Sequence, residues 1–355
     1  MTIKAEQIWN TLREARVVEG DMPDMESLAS PWYVRVMLGF SGWLAALFIL
    51  AFIGAALAFV MRSNTASLVT GTILIGAAFA ILKNTRGDFV EQLALATSIA
   101  GQSLVIYIIF KTSGWNGAGA WSLTALLHAA LAIVMPNFIH RVFSSFFAAF
   151  ALSFALASAG APYLLGGVLM FPVAFIWLNE FNYPKYLQPM RAIGYGLVIG
   201  LINIKGSALF AGNMWWIRRS AKEVWVQPWM GEVLAGAAIL YVVWQLLLRN
   251  GHELTDRVGM VSLAATIAVL AVSLEANGIT AGIMIMLLGF AGGNRVLTGL
   301  GIASTLFYVS SYYYMMNTTL LAKSQTMLLI GIVLLAARWL MLNVISRQKE
   351  TGDAR

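Results

Sequence analysis

The sequence predicts an all-α fold, a polytopic helical membrane protein of about twelve transmembrane helices. Three observations carry this. Of the 355 residues, 59% are hydrophobic and only 11% charged, with a mean hydropathy of +0.77; soluble domains carry roughly a quarter charged residues. Apolar runs such as Val36 to Val60 and Ser324 to Ile345 reach the ~20 residues a helix needs to cross ~30 Å of hydrocarbon. They lack the alternating polarity of barrel strands, and hydrocarbon tolerates only helices and closed barrels, because every backbone N–H and C=O must find its partner inside the element.

Residues 1–32 read as a cytoplasmic amphipathic arm. Ala5, Ile8, Trp9, Leu12 and Ala15 fall on one helical face. Lys4, Arg13 and Arg16 are mixed with acids and no apolar h-region is present, so no cleaved signal peptide is expected. Pro31 breaks the chain, and Trp32 with Tyr33 anchors the first span at the interface. Residues 33–347 form the transmembrane domain, with spans near 34–60, 66–82, 89–110, 119–135, 142–159, 163–178, 191–204, 229–248, 258–274, 279–292, 296–315 and 324–345. Residues 348–355 form a cytoplasmic tail. Leu82-Lys83-Asn84 resembles Leu248-Arg249-Asn250, and His140-Arg141-Val142 resembles Asn294-Arg295-Val296. One reading is a duplication into two parallel six-helix halves, 33–180 and 190–347, about an axis along the membrane normal. The other is chance, since basic residues follow apolar runs in any such protein.

Charge sets the orientation. With the amino terminus inside, fifteen Lys and Arg fall in inside segments and seven in outside ones, which places both termini in the cytoplasm. Four of the seven lie in the 205–228 segment, which with Trp215, Trp216, Trp225 and the adjoining Trp229 reads as an amphipathic stretch in the headgroup region; the rival reading is a miscounted seventh span. The net charge of +7 is scattered singly with no basic block, which argues against nucleic acid. With no cysteine and only His128, His140 and His252, no metal centre is expected. No phosphate loop, dinucleotide fingerprint, zinc-protease motif or serine elbow occurs, so no cofactor is expected and the chain leans away from an enzyme.

Polar groups away from span ends are the candidates for chemistry, because burying them among lipid is costly. Gln102, His128, Gln245 and Arg338 form a candidate polar seam. Each has a structural alternative: interhelical hydrogen bonding for the glutamines, a satisfied core histidine for His128, and snorkelling to the headgroups for Arg338. Asp88, Glu91 and Gln92 open the third span; helix capping accounts for Asp88, while Glu91 is expected to pair with Arg141 or Arg295. Tyr308, Tyr312, Tyr313 and Tyr314 read as an aromatic belt or a ring-lined entrance. Gly196 with Gly200, and Gly289 with Gly293, have the spacing that lets helices approach closely.

The stretches PWYVRVMLGFSGWLAALFILAFIG from Pro31, DFVEQLALATSIAGQSL from Asp88, MPNFIHRVFS from Met135 and GFAGGNRVLTGLGIASTLFYVSSYYY from Gly289, followed by LLAKS and LLAARW, together resemble the domain of unknown function 4401 family of bacterial membrane proteins. The match is thin across Lys205 to Gln227. That family is similar to the one numbered 2157, and such proteins accompany a companion family named for a GDYxxLxY motif. The resemblance therefore implies partners among membrane proteins, beside the lipid bilayer itself. It marks Asp88, Gln92, Gln102, His140, Arg141, Asn294, Arg295, Tyr312, Tyr313, Tyr314, Lys323, Ser324 and Arg338 as family-like polar positions, most of them at span ends.

Two functions are expected from these features. Bundle size and the two-halves reading favour a transporter or permease handling a small molecule or lipid. The scarcity of buried ionisable groups favours a scaffold or sensor subunit that docks companions through the amino-terminal arm and the Trp-rich segment.

Overall fold

The computed structural model describes residues 60–84, 88–114, 117–210, 225–273, 278–315 and 319–325, with further single positions between 9 and 14, 37 and 55, and 328 and 339. All regular structure among them is helical. In chain order the helices are α1 (Asn64–Asn84), α2 (Asp88–Ser113), α3 (Ala118–Val134), α4 (Phe138–Ser158), α5 (Leu164–Val168), α6 (Met170–Asn179), α7 (Leu187–Phe210), α8 (Pro228–Arg249), α9 (Arg257–Ser273), α10 (Ile279–Ala291) and α11 (Arg295–Met315). Among the described residues six helical stretches are long and apolar enough to cross a membrane, and α3, most of α9, and α10 are shorter apolar helices. The expected spans 34–60 and 324–345 lie largely outside the described residues, as do Trp215 and Trp216.

Consecutive helices form hairpins, α1 with α2, α3 with α4, and α10 with α11, while α4 packs on α7 and α8 packs on α5 and α10. The core gathers around α6, where Met170, Val173 and Ala174 are fully buried against Val198 and Leu201 of α7, Ala235, Ala238 and Val242 of α8, and Met284 and Ile285 of α10. The periphery is apolar as well: Leu126, Ile133 and Phe290 are largely exposed. Apolar residues on both sides of a helix suit a lipid surround.

Small residues decide how closely the helices cross. A Cβ at Gly196 would overlap the Val142 carbonyl oxygen and stand 2.6 Å from Ser145 Cβ, and one at Gly200 would stand 2.9 Å from Ala149 Cβ. The expected pair thus sits at the α4–α7 crossing. The second pair divides. Gly289 lies against Thr298 of α11, but Gly293 has φ +63° and nothing within 4 Å of a Cβ. Because α10 stops at Ala291, Gly293 serves the turn into α11, where a left-handed backbone suits glycine. Gly196→Val should therefore cost about 1–3 kcal/mol of stability in detergent by overpacking, and thermal unfolding should show far less effect for Gly76→Val, where the space is open.

Candidate functional site

Helices α2, α3 and α4 line a cavity of about 440 Å³. Its polar face carries Gln92, Gln102 and Ser103 of α2, His128 of α3, and His140 and Ser144 of α4. Its apolar wall includes Ile99, Phe143 and Phe147, all well exposed, so the cavity opens sideways between the helices. The lining on α2 runs from Gln92 to Ile106, which at the helical rise makes the cavity roughly 21 Å tall.

His140 is the hub of the polar face. Its Nε2 is 2.8 Å from Ser98 Oγ and 3.3 Å from Gln102 Nε2, its Nδ1 is 3.0 Å from Ser144 Oγ, and Gln102 Nε2 donates to Ser98 Oγ at 2.8 Å. With the Gln102 amide in this orientation, Ser98 accepts from Gln102 and donates to Nε2, so the neutral ring carries its proton on Nδ1 and donates to Ser144. The pairs Ser98 and Gln102, and His140 and Ser144, are each one helical turn apart, so each helix presents two polar groups to the other. Asn137 caps α4 by accepting from the His140 amide at 3.0 Å. His128 stacks on Phe147 with ring centroids 5.4 Å apart, and its Nδ1 is buried with no partner in the protein. The site thus sets a hydrogen-bonded polar strip against an apolar wall.

The expected seam divides. Gln102 and His128 share the cavity, whereas Gln245 is half-buried on α8 and Arg338 is exposed, and neither lines it. The expected Glu91 pairing with Arg141 or Arg295 is replaced: Glu91 Oε2 accepts from Asn137 Nδ2 at 3.0 Å. Arg141 turns instead to the end of α3, donating to the Met135 and Ile133 carbonyls, where a helix leaves its last oxygens unpaired. Arg295 is exposed, and Asp88 begins α2. Asn294 caps α11 by accepting from the Leu297 amide and bonds the Tyr195 hydroxyl of α7.

The tyrosines do not act as one belt. Tyr308 is fully buried and donates to the Ile202 carbonyl at 3.0 Å. Tyr312 packs beside it, Tyr314 is 81% exposed, and Lys323 Nζ sits 5.4 Å from the Tyr313 ring centroid. Ser324 Oγ donates to the Leu321 carbonyl.

Two ion pairs were not anticipated. Lys205, expected to open an outer loop, lies inside α7, which continues to Phe210; both Lys205 and Glu232 of α8 are buried, and Lys205 Nζ donates to Glu232 Oε1 at 2.5 Å. The lysine stem passes over Gly166, where a Cβ would stand 2.9 Å from Cε. A base in the last turns of one apolar run and an acid near the start of the next was the available signal. Glu180, 1% exposed, holds Arg191 Nε at 2.9 Å.

Removing one member of a buried pair strands the other charge. Glu232→Ala should cost about 3–5 kcal/mol, and the double variant Lys205→Met/Glu232→Leu should recover most of it in thermal unfolding. At the hub, His140→Leu should cost about 1–3 kcal/mol and couple non-additively to Ser98→Ala in a double-mutant cycle. Gln245→Leu should cost no more than about 0.6 kcal/mol.

Compared with known proteins, the chain matches no curated protein and no solved structure. A family model does match it, across residues 31–344 and so nearly the whole chain, under the description Domain of unknown function (DUF4401). The chain belongs to the DUF4401 family.

Proposed function

We propose that this chain is an integral protein of the bacterial inner membrane, with about twelve spans and both termini in the cytoplasm, that binds a lipid or lipid-like small molecule between α2, α3 and α4 and handles it as a permease does. The observation that carries this reading is the α2–α4 cavity itself: tall, apolar on its open side, and polar along His140, Gln102 and His128. A sideways opening admits a ligand from the hydrocarbon. The roughly 21 Å height suits an extended chain, and the polar strip of Gln92, Gln102, Ser103, His128 and His140 suits a hydrogen-bonding head group.

A second reading has one observation in its favour. The core around α6 is filled, with Met170, Val173, Val198 and Leu201 fully buried, as suits a scaffold or sensor subunit working with companion membrane proteins. The two parallel halves, 33–180 and 190–347, would fit the permease reading.

Purification with native lipids followed by mass spectrometry of what co-purifies separates the two. Ile99 is an exposed lining residue, so Ile99→Trp should fill the cavity without unfolding the protein and lower ligand retention about fivefold or more. Recovery of a companion protein with no small ligand, or retention unchanged in Ile99→Trp, would overturn the permease reading.

A further inference from the structure

A second cavity, about 630 Å³, opens where four helix ends converge. Ile133 comes from the last turn of α3, Arg141 from the first turn of α4, Phe175 from the second half of α6, and Tyr183, Lys185 and Tyr186 from the segment leading into α7. The lining contains two cations and no Asp or Glu. Among the described residues neither cation forms an ion pair; the nearby acids are engaged elsewhere, Glu180 with Arg191 and Glu91 with Asn137. Arg141 spends two of its five N–H groups on α3 carbonyls, which holds the guanidinium at the cavity. The amino-terminal ends of α4 and α7, the positive ends of their dipoles, point to the same region.

The walls say what kind of anion fits. Ile133 is 69% exposed, Phe175 50% and Tyr186 63%. Tyrosine rings beside cations at a bundle end suit the headgroup level of a bilayer, and the apolar side chains continue from there along the outside of the helices. A free inorganic anion would have no use for that apolar wall; a lipid would lay its acyl chains on it. We propose that this cavity binds the phosphate of an anionic phospholipid between Arg141 and Lys185, with the acyl chains along Ile133 and Phe175. The inference rests on the bundle lying in a bilayer, with this end toward the leaflet rich in anionic lipid. It is independent of what the α2–α4 cavity holds.

The test uses the full chain in nanodiscs of phosphatidylcholine doped with phosphatidylglycerol, and reads retained phosphatidylglycerol by native mass spectrometry after mild delipidation. The wild type should retain it. Lys185→Glu, a change at an exposed residue, should lower retention roughly tenfold. Arg141→Gln should do the same; should it fail to fold for want of its α3 cap, Lys185→Glu still decides. Lys111→Gln, at the opposite end of α2 from the Glu91–Asn137 contact, should change nothing. Equal retention in wild type and Lys185→Glu would overturn the proposal. So would an equal loss in Lys111→Gln, which would mark general surface charge, or thermal stabilisation by inorganic phosphate as large as that by phosphatidylglycerol vesicles, which would mark a simple anion site.

Discussion

A polar group sealed among apolar helices has no water to bond and must find its partner in the chain. In this bundle many serines and threonines bond a carbonyl of their own helix, but several larger polar groups find the partner on another helix and so tie two elements together. His140 ties α4 to α2, Lys205 and Glu232 tie α7 to α8, Tyr308 ties α11 to α7, and Asn294 ties the start of α11 to Tyr195. Apolar packing brings helices together without regard to register. These directional contacts select one register among the many that apolar faces alone would allow, and their loss costs far more than an ordinary surface contact.

Two kinds of helix crossing coexist. Around α6 the contacts are close, made by alanine and glycine where backbones meet and by Met, Val and Leu between them, and the interior is filled. Between α2 and α4 the link is made by Ser98, Gln102 and His140, while His128 of α3 stacks on Phe147, and Phe143 and Phe147 are partly exposed. That arrangement leaves room beside a satisfied polar strip. The region around α6 is filled, and the cavity lies beside the hydrogen-bonded strip, polar on one side and apolar on the other.

The short turn between α3 and α4 serves both cavities. His140 and Arg141 are adjacent in sequence, yet one lines the α2–α4 cavity and the other the basic cavity at the bundle end. The reason is helical geometry: successive residues project about a hundred degrees apart. Asn137 fixes that turn by capping α4 while donating to Glu91, so the side chains of both cavities are positioned from one anchored helix start.

Composition and run length were enough to establish that the chain is helical and apolar enough to enter a membrane, because hydrophobicity summed over ~20 residues needs no knowledge of neighbours. The same holds for Gly196 and Gly200, whose one-turn spacing is a local property. Gln102 and His128 could be singled out because polar side chains within apolar runs are visible as exceptions. Partnership could not be read this way. His140 looked like a span end, Lys205 like the start of a loop, and Glu91 like the mate of an arginine, since each assignment depended on which helix face met which. Only the tertiary structure decided that, because a hydrogen bond is short and directional while the residues it joins, such as Ser98 and His140 or Lys205 and Glu232, lie dozens of positions apart along the chain.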